Sequence, residues 1–221
     1  MKMVASSPIQ YSERRDFLLR LPLLKRWAAV HQPYPYFENR EELYEYIVSV
    51  VGEEMPICYL EFGVYEGASL LNWIELNIAE KSEFIGFDSF EGLPEHWIKP
   101  IGSMKRNAFS TEGKMPVIND NRVSFVKGWF QNTLPIFLDR FSPDKQIIIH
   151  CDADIYSSTM YVLCKMDSSI KQGTIIIFDE FSNMLHEFRA FDDYTSSFGR
   201  QYEVLGAAGH FYQQVAIRFT K

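Results

Sequence analysis

With 221 residues, 47% of them hydrophobic and 15% aromatic, the chain is long enough to form one domain with its own core. Its formal charge of −7 argues against nucleic acids and anionic membranes as partners, because both attract basic surfaces. No segment has the ~20 consecutive apolar residues that span a bilayer, and the first residues lack the apolar stretch of a signal peptide. We therefore expect a cytoplasmic protein, in which Cys58, Cys151 and Cys164 are free thiols without metal-type spacing.

Residues 1–52 are predicted to form a helical extension. A first helix would bury one apolar face and stop before Pro33 and Pro35. That face consists of Phe17, Leu18, Leu21, Leu24 and Trp27. A second helix is predicted from Asn39, as its N-cap, through Val50 to Gly52. The basic side chains of this extension are either solvent-exposed or part of a lid over an active site.

From Ile57 onwards, strand and helix patterns alternate. The alternation predicts an α/β domain over residues 53–221, in which helices cover both faces of a mainly parallel sheet. The predicted strands are Ile57–Phe62, Phe84–Phe87, Val123–Val126, Gln146–Cys151 and Thr174–Phe178. The predicted helices are Ala68–Ala79, Asn132–Phe141, Ser157–Ile170 and Leu185–Phe198. Two final runs, Tyr202–Leu205 and Gln213–Phe219, are expected to pair antiparallel. The segment 89–122 has no firm periodicity and is predicted to be a functional loop.

The segment from Tyr59 to Ser69 combines a strand, a glycine turn and the start of a helix. Its spacing, Glu-x-Gly-x-x-x-Gly, differs from the dinucleotide-binding fingerprint and from a P-loop. Such a turn lets a ligand approach the backbone, and the unpaired N–H groups of the helix start can bind an anion. The segment is therefore a candidate ligand-binding turn.

Acidic residues stand at the ends of four predicted strands. They are Glu61, Asp88, Asp152, Asp154, Asp179 and Glu180. Because ligands bind beyond the carboxyl ends of parallel strands, we expect these acids to surround one crevice. Like charges so close together repel, so a cation or a donor-rich ligand has to offset them. A ribose diol can bind Asp88, and Mg²⁺ can bind Asp152, Asp179 and Glu180, with Asp154 as a further ligand or a base.

The histidines give a weaker signal than the acids. No Gly-x-Ser-x-Gly nucleophile motif is present, and the five histidines are scattered. His150 lies within a strand pattern and is expected to be a core residue. His186 follows the fifth predicted strand and is a candidate base facing the crevice.

Five segments resemble known methyltransferase motifs. The first resembles motif I of class I S-adenosylmethionine (SAM) methyltransferases in their small-molecule O-methyltransferase form. The others are similar to the macrocin O-methyltransferase (TylF-type) family, in the same order from about Tyr59 to Phe191. The segments are 61–69 (EFGVYEGAS), 86–94 (GFDSFEGLP), 127–135 (KGWFQNTLP), 150–159 (HCDADIYSST) and 178–181 (FDEF).

This resemblance implies a Rossmann-like sheet of seven strands with a reversed last strand, bound SAM and, usually, Mg²⁺. The implied cofactor site consists of Glu61, Gly63, Tyr65, Ser69, Asp88, Ser89, Gly128, Trp129 and Phe130. Within it, Gly63 and Tyr65 would line the methionine part of SAM and Ser69 would bind its carboxylate. Asp88 would hold the ribose, and residues 128–130 would border the adenine. The implied metal ligands are Asp152, Asp179 and Glu180.

Two positions depart from the pattern of the family. Glu180 stands where Asp or Asn is common, so a longer side chain would have to reach the metal. Ile155 stands where some relatives have a histidine base. Either Asp152 or Asp154 would then take the proton of the acceptor hydroxyl, or activation of that hydroxyl would depend mainly on the metal.

The implied function is Mg²⁺-assisted O-methylation of a sugar, a glycoside or a related small natural product. Trp97, Phe109 and Trp129 are candidate walls for such an acceptor, because sugars and aromatic rings stack on these side chains. Two alternatives stay open: a metal-independent N- or O-methyltransferase, and a SAM-binding partner subunit without turnover. A homodimer is expected if the apolar N-terminal helices do not close on the core.

Overall fold

The computed structural model describes residues 13–99 and 103–221. The first eight residues, which carry no signal-peptide pattern, lie outside this range. Within the described ranges, no helix combines the length and the apolar character required to cross a membrane.

The core of the molecule is one eight-stranded sheet. Its strands are β1 (Tyr36–Phe37), β2 (Ile57–Phe62), β3 (Glu83–Asp88), β6 (Val123–Lys127), β7 (Gln146–Cys151), β8 (Ile175–Phe178), β9 (Tyr202–Ala208) and β10 (Gln214–Phe219). Their order is β1-β9-β10-β8-β7-β2-β3-β6, and β10 is antiparallel to both its neighbours while the other pairs are parallel. The Rossmann-like sheet with a reversed last strand is thus confirmed.

An edge strand, β1, adds an eighth member to the seven strands that the resemblance implied. The carbonyls of Pro35 and Phe37 accept the N–H groups of Ala207 and Gly209, at 3.0 and 3.2 Å. These bonds cover the open edge of β9, which would otherwise expose unpaired backbone groups. The two-residue strand has too short a pattern to be recognised in the sequence.

Six helices of the described ranges pack on the sheet. They are α1 (Glu13–Val30), α2 (Arg40–Val51), α3 (Ala68–Leu76), α4 (Phe130–Leu138), α5 (Tyr156–Met166) and α6 (Glu187–Phe198). Because side chains alternate along a strand, Leu60 and Phe62 of β2 point to the layer of α1, α5 and α6. Tyr59 points to the opposite layer, which α2 and α3 cover. The predicted helix bounds differ from these by up to four residues, and the largest difference is at the end of α5, which stops at Met166 and not at Ile170.

The first helix packs against the C-terminal part of the chain. Leu24 and Trp27 are buried, and the Trp27 indole N–H donates to the Tyr202 hydroxyl at 2.9 Å. Leu18, predicted to share this face, is 58% exposed, because it lies about 100° around the helix from its neighbour Phe17. The division of the chain at residue 52, with the first part as a lid, stays a prediction.

The second helix begins and ends as its sequence predicts. The side chain of Asn39 accepts the N–H of Glu42 at 2.9 Å, and Gly52 ends the helix with a φ of 106°. The buried face of α2 contains Leu43, Tyr44, Ile47 and Val48. This packing brings Arg40, at the start of α2, to the carboxyl edge of the sheet.

The segment 89–122 contains a short hairpin that the sequence did not reveal. It consists of β4 (Trp97–Ile98) and β5 (Ser103–Met104), which pair antiparallel. Two-residue strands carry no readable alternation. The hairpin forms one wall above the carboxyl ends of the strands, where Trp97 is buried.

Candidate functional site

A cavity of about 370 Å³ lies at the carboxyl ends of β2, β3, β6, β7 and β8. Apart from the candidate base His186, described below, all but one of the residues that the sequence singled out for the site line it. These are Gly63, Tyr65, Ser69, Asp88, Ser89, Gly128, Trp129, Phe130, Asp152, Asp154, Asp179 and Glu180. The exception is Glu61, which is fully buried beneath the cavity wall.

The glycine turn after β2 brings two strand ends into close contact. Gly63 has a φ of +97°, and its N–H donates to the carbonyl of Phe87 at 2.9 Å. A Cβ on Gly63 would lie 1.9 Å from the carbonyl oxygen of Asp152. Glycine is therefore required here both by its backbone conformation and by the approach of β7.

Replacing Gly63 with alanine is expected to destabilise the fold more than the same change at Gly199. Both glycines have positive φ, but no heavy atom of the described chain lies within 4 Å of a Cβ built on Gly199. Gly63→Ala adds overpacking, which costs about 1–3 kcal/mol more. Thermal unfolding of the two variants measures the difference, and equal midpoints would show that the contact with Asp152 relaxes freely.

Asp88 holds the glycine turn from the neighbouring strand. Its Oδ2 accepts the N–H groups of Val64 and Tyr65 at 2.8 and 2.9 Å, and its Oδ1 accepts that of Phe90 at 2.7 Å. A carboxylate has about four acceptor positions, so about one is left on Oδ1 for a ligand in the cavity. Asp88 thus shapes the turn and has an acceptor position left for a ligand in the cavity.

The start of α3 offers hydrogen-bond donors to the cavity. Gly67 precedes the helix in a left-handed conformation, and no described side chain caps it. The next two residues, Ala68 and Ser69, line the cavity. The Ser69 hydroxyl donates to Glu61 Oε1 at 2.8 Å, which leaves the helix N–H groups to bind an anionic ligand group.

Four carboxylates crowd the opposite side of the cavity and perturb one another. Burial, and then Asp179, raises the pKa of Asp152 well above its usual range. Burial, and then Glu180, raises the pKa of Asp154 to about 8. Burial and Asp179 also raise the pKa of Glu180. A cation bound among these side chains would reverse the repulsion.

Two basic side chains that the sequence did not single out also line the cavity. Arg40 Nη1 lies 3.4 Å from Asp179 Oδ2. Lys99 Nζ lies 3.4 Å from the centre of the Trp97 ring, and its charge opposes the rise in the pKa of Asp154. Their positions depend on the packing of α2 and of the hairpin, and no local pattern marks them.

His150 is fully buried between two carboxylates. Its Nδ1 lies 3.6 Å from Glu61 Oε2, and its Nε2 lies 3.7 Å from Asp179 Oδ1. Burial lowers the pKa of His150, but hydrogen bonds to Asp179 and Glu61 outweigh it and raise the pKa to about 10. The residue is a bonded core histidine, as the strand pattern suggested. Its ring and the carboxylates of Asp152 and Asp179 place three ligand atoms within 4.8 Å of one another.

His186 faces backbone groups and is not among the residues that line the cavity. Its Nδ1 accepts the N–H of Tyr156 at 3.0 Å, and its Nε2 lies 3.3 Å from the nitrogen of Ile98. Burial lowers the pKa of His186 to about 4, so the ring is neutral near pH 7. These contacts favour a role in joining α5 to the hairpin over a role as a base.

Aromatic side chains form the outer walls of the cavity. Trp97, Phe109 and Trp129 line it, as the sequence suggested. The Phe109 ring packs edge-on to Tyr65, with 5.6 Å between their centres. The site therefore combines flat apolar walls with an acidic floor, an arrangement suited to a ring that carries hydroxyl groups.

In a comparison with protein families, residues 38–204 match the model of the macrocin O-methyltransferase (TylF) family. Over 191 residues, the chain is 22% identical to demethyldecarbamoylnovobiocin O-methyltransferase of Streptomyces niveus, covering 78% of this chain and 71% of the relative. Over 215 residues, it is 25% identical to 8-demethyl-8-(2,3-dimethoxy-alpha-L-rhamnosyl)-tetracenomycin-C 4'-O-methyltransferase of Streptomyces olivaceus, covering 83% of this chain and 78% of the relative.

Solved structures with similar folds include several methyltransferases. The O-methyltransferase NovP superposes with a TM-score of 0.63 at 21% identity, covering 82% of this chain and 80% of NovP. The calicheamicin methyltransferase CalS11 superposes with a TM-score of 0.59 at 20% identity, covering 97% and 94%. A structure of CmcI with Mg and SAM gives 0.53 at 16% identity, covering 82% and 71%. At these identities, the superpositions establish the fold.

Proposed function

Because the chain belongs to the macrocin O-methyltransferase (TylF) family, we propose that it methylates a hydroxyl of a sugar or glycoside with the help of Mg²⁺. SAM-dependent O-methyl transfer itself follows from membership of the family. The acceptor class, the metal and the roles of single residues are the proposal. One observation carries it: the glycine turn after β2 and the carboxylates after β7 and β8 line one cavity.

The proposed acceptor is a sugar ring with neighbouring hydroxyls. One relative, by its name, methylates the 4' position of a rhamnosyl compound. The aromatic walls of this cavity suit the apolar face of a sugar, and the carboxylates suit its hydroxyls. Trp97, Phe109 and Trp129 are the side chains on which such a ring would stack.

The carboxylates are proposed to bind a hard divalent cation: Asp152 and Asp179 place ligand atoms within 4.8 Å of each other, and Glu180 lines the same cavity. Asp152, Asp179 and Glu180 supply oxygen ligands at the ends of two adjacent strands, and oxygen is what Mg²⁺ prefers. When bound there, Mg²⁺ would lower the pKa of an acceptor hydroxyl and fix its orientation. Burial, and then Asp179, raises the pKa of Asp152 and of Glu180. At Asp179, burial is outweighed by His150 and Arg40, which lower the pKa. A cation would offset the part of these shifts that comes from repulsion between the carboxylates.

The part of the cavity around the glycine turn is proposed to hold SAM. SAM carries its methyl group on a positively charged sulfur, and when the methyl group is transferred to oxygen the carbon–sulfur bond breaks and a neutral thioether remains. Ser69 and the start of α3 would bind its carboxylate, and Asp88 would accept a hydrogen bond from its ribose. Gly63 and Tyr65 would line the methionine part, and residues 128–130 would border the adenine. Holding donor and acceptor in line supplies much of the rate.

Asp154 is proposed as the base that takes the proton of the acceptor hydroxyl. It lines the cavity, and in the absence of a bound cation burial and then Glu180 raise its pKa to about 8, so that its deprotonated form is a stronger proton acceptor than an exposed aspartate. Asp152 is the alternative base, although its proposed contact with the metal would make it less basic. Asp154 therefore has the better placement for this step.

Removing divalent cations is expected to abolish turnover while SAM binding persists. The measurement is transfer of labelled methyl from SAM to phenyl α-L-rhamnoside, with EDTA and then with added MgCl₂. S-adenosylhomocysteine (SAH) titrated by calorimetry in EDTA is the control for the cofactor site. Full activity in EDTA would favour the metal-independent alternative, and SAH binding without turnover on any hydroxylated acceptor would favour the non-catalytic one.

A homodimer and a cytoplasmic location complete the proposal. Exposed apolar side chains on α1, at Leu18, Leu19 and Leu23, support a contact between two copies. The buried thiols of Cys58 and Cys151 and the exposed thiol of Cys164 are unpaired among the described residues, which supports a reducing compartment. Sedimentation of the purified protein measures the oligomeric state.

A further inference from the structure

A chain of buried hydrogen bonds begins at the cofactor side of the cavity. The Ser69 hydroxyl donates to Glu61 Oε1 at 2.8 Å, and the Tyr59 hydroxyl donates to Glu61 Oε2 at 2.6 Å. Tyr59 and Glu61 lie two residues apart on β2 and point to the same face of the sheet. Both side chains are fully buried, so water cannot replace these bonds.

The same chain continues to the acidic side of the cavity. The Tyr59 oxygen lies 2.7 Å from His150 Nδ1, and His150 Nε2 lies 3.4 Å from the Tyr44 hydroxyl. The Tyr44 hydroxyl in turn donates to Asp179 Oδ1 at 3.3 Å. Ser69 and Asp179 thus both line the cavity and are joined through four buried residues, Glu61, Tyr59, His150 and Tyr44.

The positions of the protons determine which atom donates in each of these hydrogen bonds. The single hydroxyl proton of Tyr59 is donated to Glu61, so His150 Nδ1 has to carry the proton shared with the Tyr59 oxygen. This bond fixes the plane of the imidazole ring and aims Nε2 at Tyr44 and Asp179. A shift of the Glu61 carboxylate would leave the buried Tyr59 hydroxyl without its acceptor. The free energy lost there would favour a compensating shift of His150, the next residue in the series of hydrogen bonds.

We propose that Tyr59 and His150 are positioning residues that couple cofactor binding at Ser69 to metal binding at Asp179. The inference rests on the proposed function, because it assigns these two ligands to the two ends of the chain. A ligand that orders one end fixes the other through the buried bonds. Coupling of this kind is reciprocal, so each ligand raises the affinity for the other by the same factor.

The test is the affinity of the full chain for SAH, measured by calorimetry in EDTA and in saturating MgCl₂. In the unchanged protein, Mg²⁺ is expected to tighten SAH binding by at least about fivefold. Tyr59→Phe keeps the ring but interrupts the series of buried hydrogen bonds. In this variant, the ratio of the SAH affinity in MgCl₂ to that in EDTA is expected to fall to about one. A general loss of stability would weaken both affinities without changing their ratio.

Tyr194→Phe is the matched control. It also removes a buried hydroxyl bonded to a carboxylate, that of Asp167 at 2.7 Å, but lies outside the chain. The ratio of its SAH affinity in MgCl₂ to that in EDTA should equal the ratio of the unchanged protein. Should Tyr59→Phe fail to fold, Tyr44→Phe cuts the chain at its other end and replaces it in the test.

Two outcomes would overturn the coupling while leaving the proposed function intact. One is an unchanged ratio in Tyr59→Phe and Tyr44→Phe. The other is separate binding of SAH and Mg²⁺ to the unchanged protein, with a ratio of one. Failure of SAH to bind the unchanged protein at all would instead refute the proposed function, and the coupling with it.

Discussion

Replacing Asp154 with asparagine is expected to lower kcat for methyl transfer by roughly 100- to 10,000-fold, the usual contribution of a general base. The amide cannot take the proton of the acceptor hydroxyl. Asp154 lines the cavity, and burial and then Glu180 raise its pKa above that of an exposed aspartate. KM for SAM should change little, because the cofactor is proposed to bind at the other side of the cavity.

Asparagine suits this position because of the backbone. Asp154 has a φ of +61°, in the left-handed region, and asparagine adopts that conformation at least as readily as aspartate. Alanine there would add backbone strain to the loss of the carboxylate. The exchange to asparagine therefore isolates the chemistry of the side chain.

The measurement is single-turnover methyl transfer to phenyl α-L-rhamnoside, with SAH affinity measured beside it. Asp144→Asn, in an exposed loop just before β7 and thus at the opposite edge of the sheet, is the control and should leave kcat unchanged. A kcat of Asp154→Asn within a few-fold of the unchanged protein would exclude Asp154 as the base. In that case, Asp152 would be the next residue to test.

Local sequence patterns predicted the parts of the site that follow directly from single strands. The glycine turn after β2 and the acids after β3, β7 and β8 could be read because each stands at the end of an apolar run. In a parallel sheet these ends must meet at one edge, so their convergence follows from topology alone. Asp88 illustrates the limit, because its three bonds to backbone N–H groups were not predictable.

Residues that reach the site by tertiary packing could not be predicted. Arg40 belongs to α2, nearly 140 residues before its partner Asp179, and only the packing of that helix on the sheet brings them together. The buried chain through Tyr59 and His150 left one local sign, polar side chains at alternate positions of an otherwise apolar strand. That sign marks a face of the sheet and does not identify the partner across it.

Replacing Asp88 with alanine is expected to weaken SAH binding by roughly 10- to 150-fold, which corresponds to the loss of one charged hydrogen bond of about 1.5–3 kcal/mol. About one acceptor position of its carboxylate is free for the ribose, since three backbone N–H groups use the others. Calorimetric titration measures the loss, and Asp144→Ala, in the exposed loop before β7, is the control.

Because Asp88 also holds the turn at Val64 and Tyr65, a weaker affinity alone would not assign it to the ribose. A second ligand, 5'-methylthioadenosine, separates the two roles, because it keeps the ribose and adenine of SAH and lacks the amino acid part. If Asp88 binds the ribose, Asp88→Ala should weaken both ligands by the same factor. If it acts only through the turn, which lines the methionine part, SAH should lose affinity while methylthioadenosine keeps it.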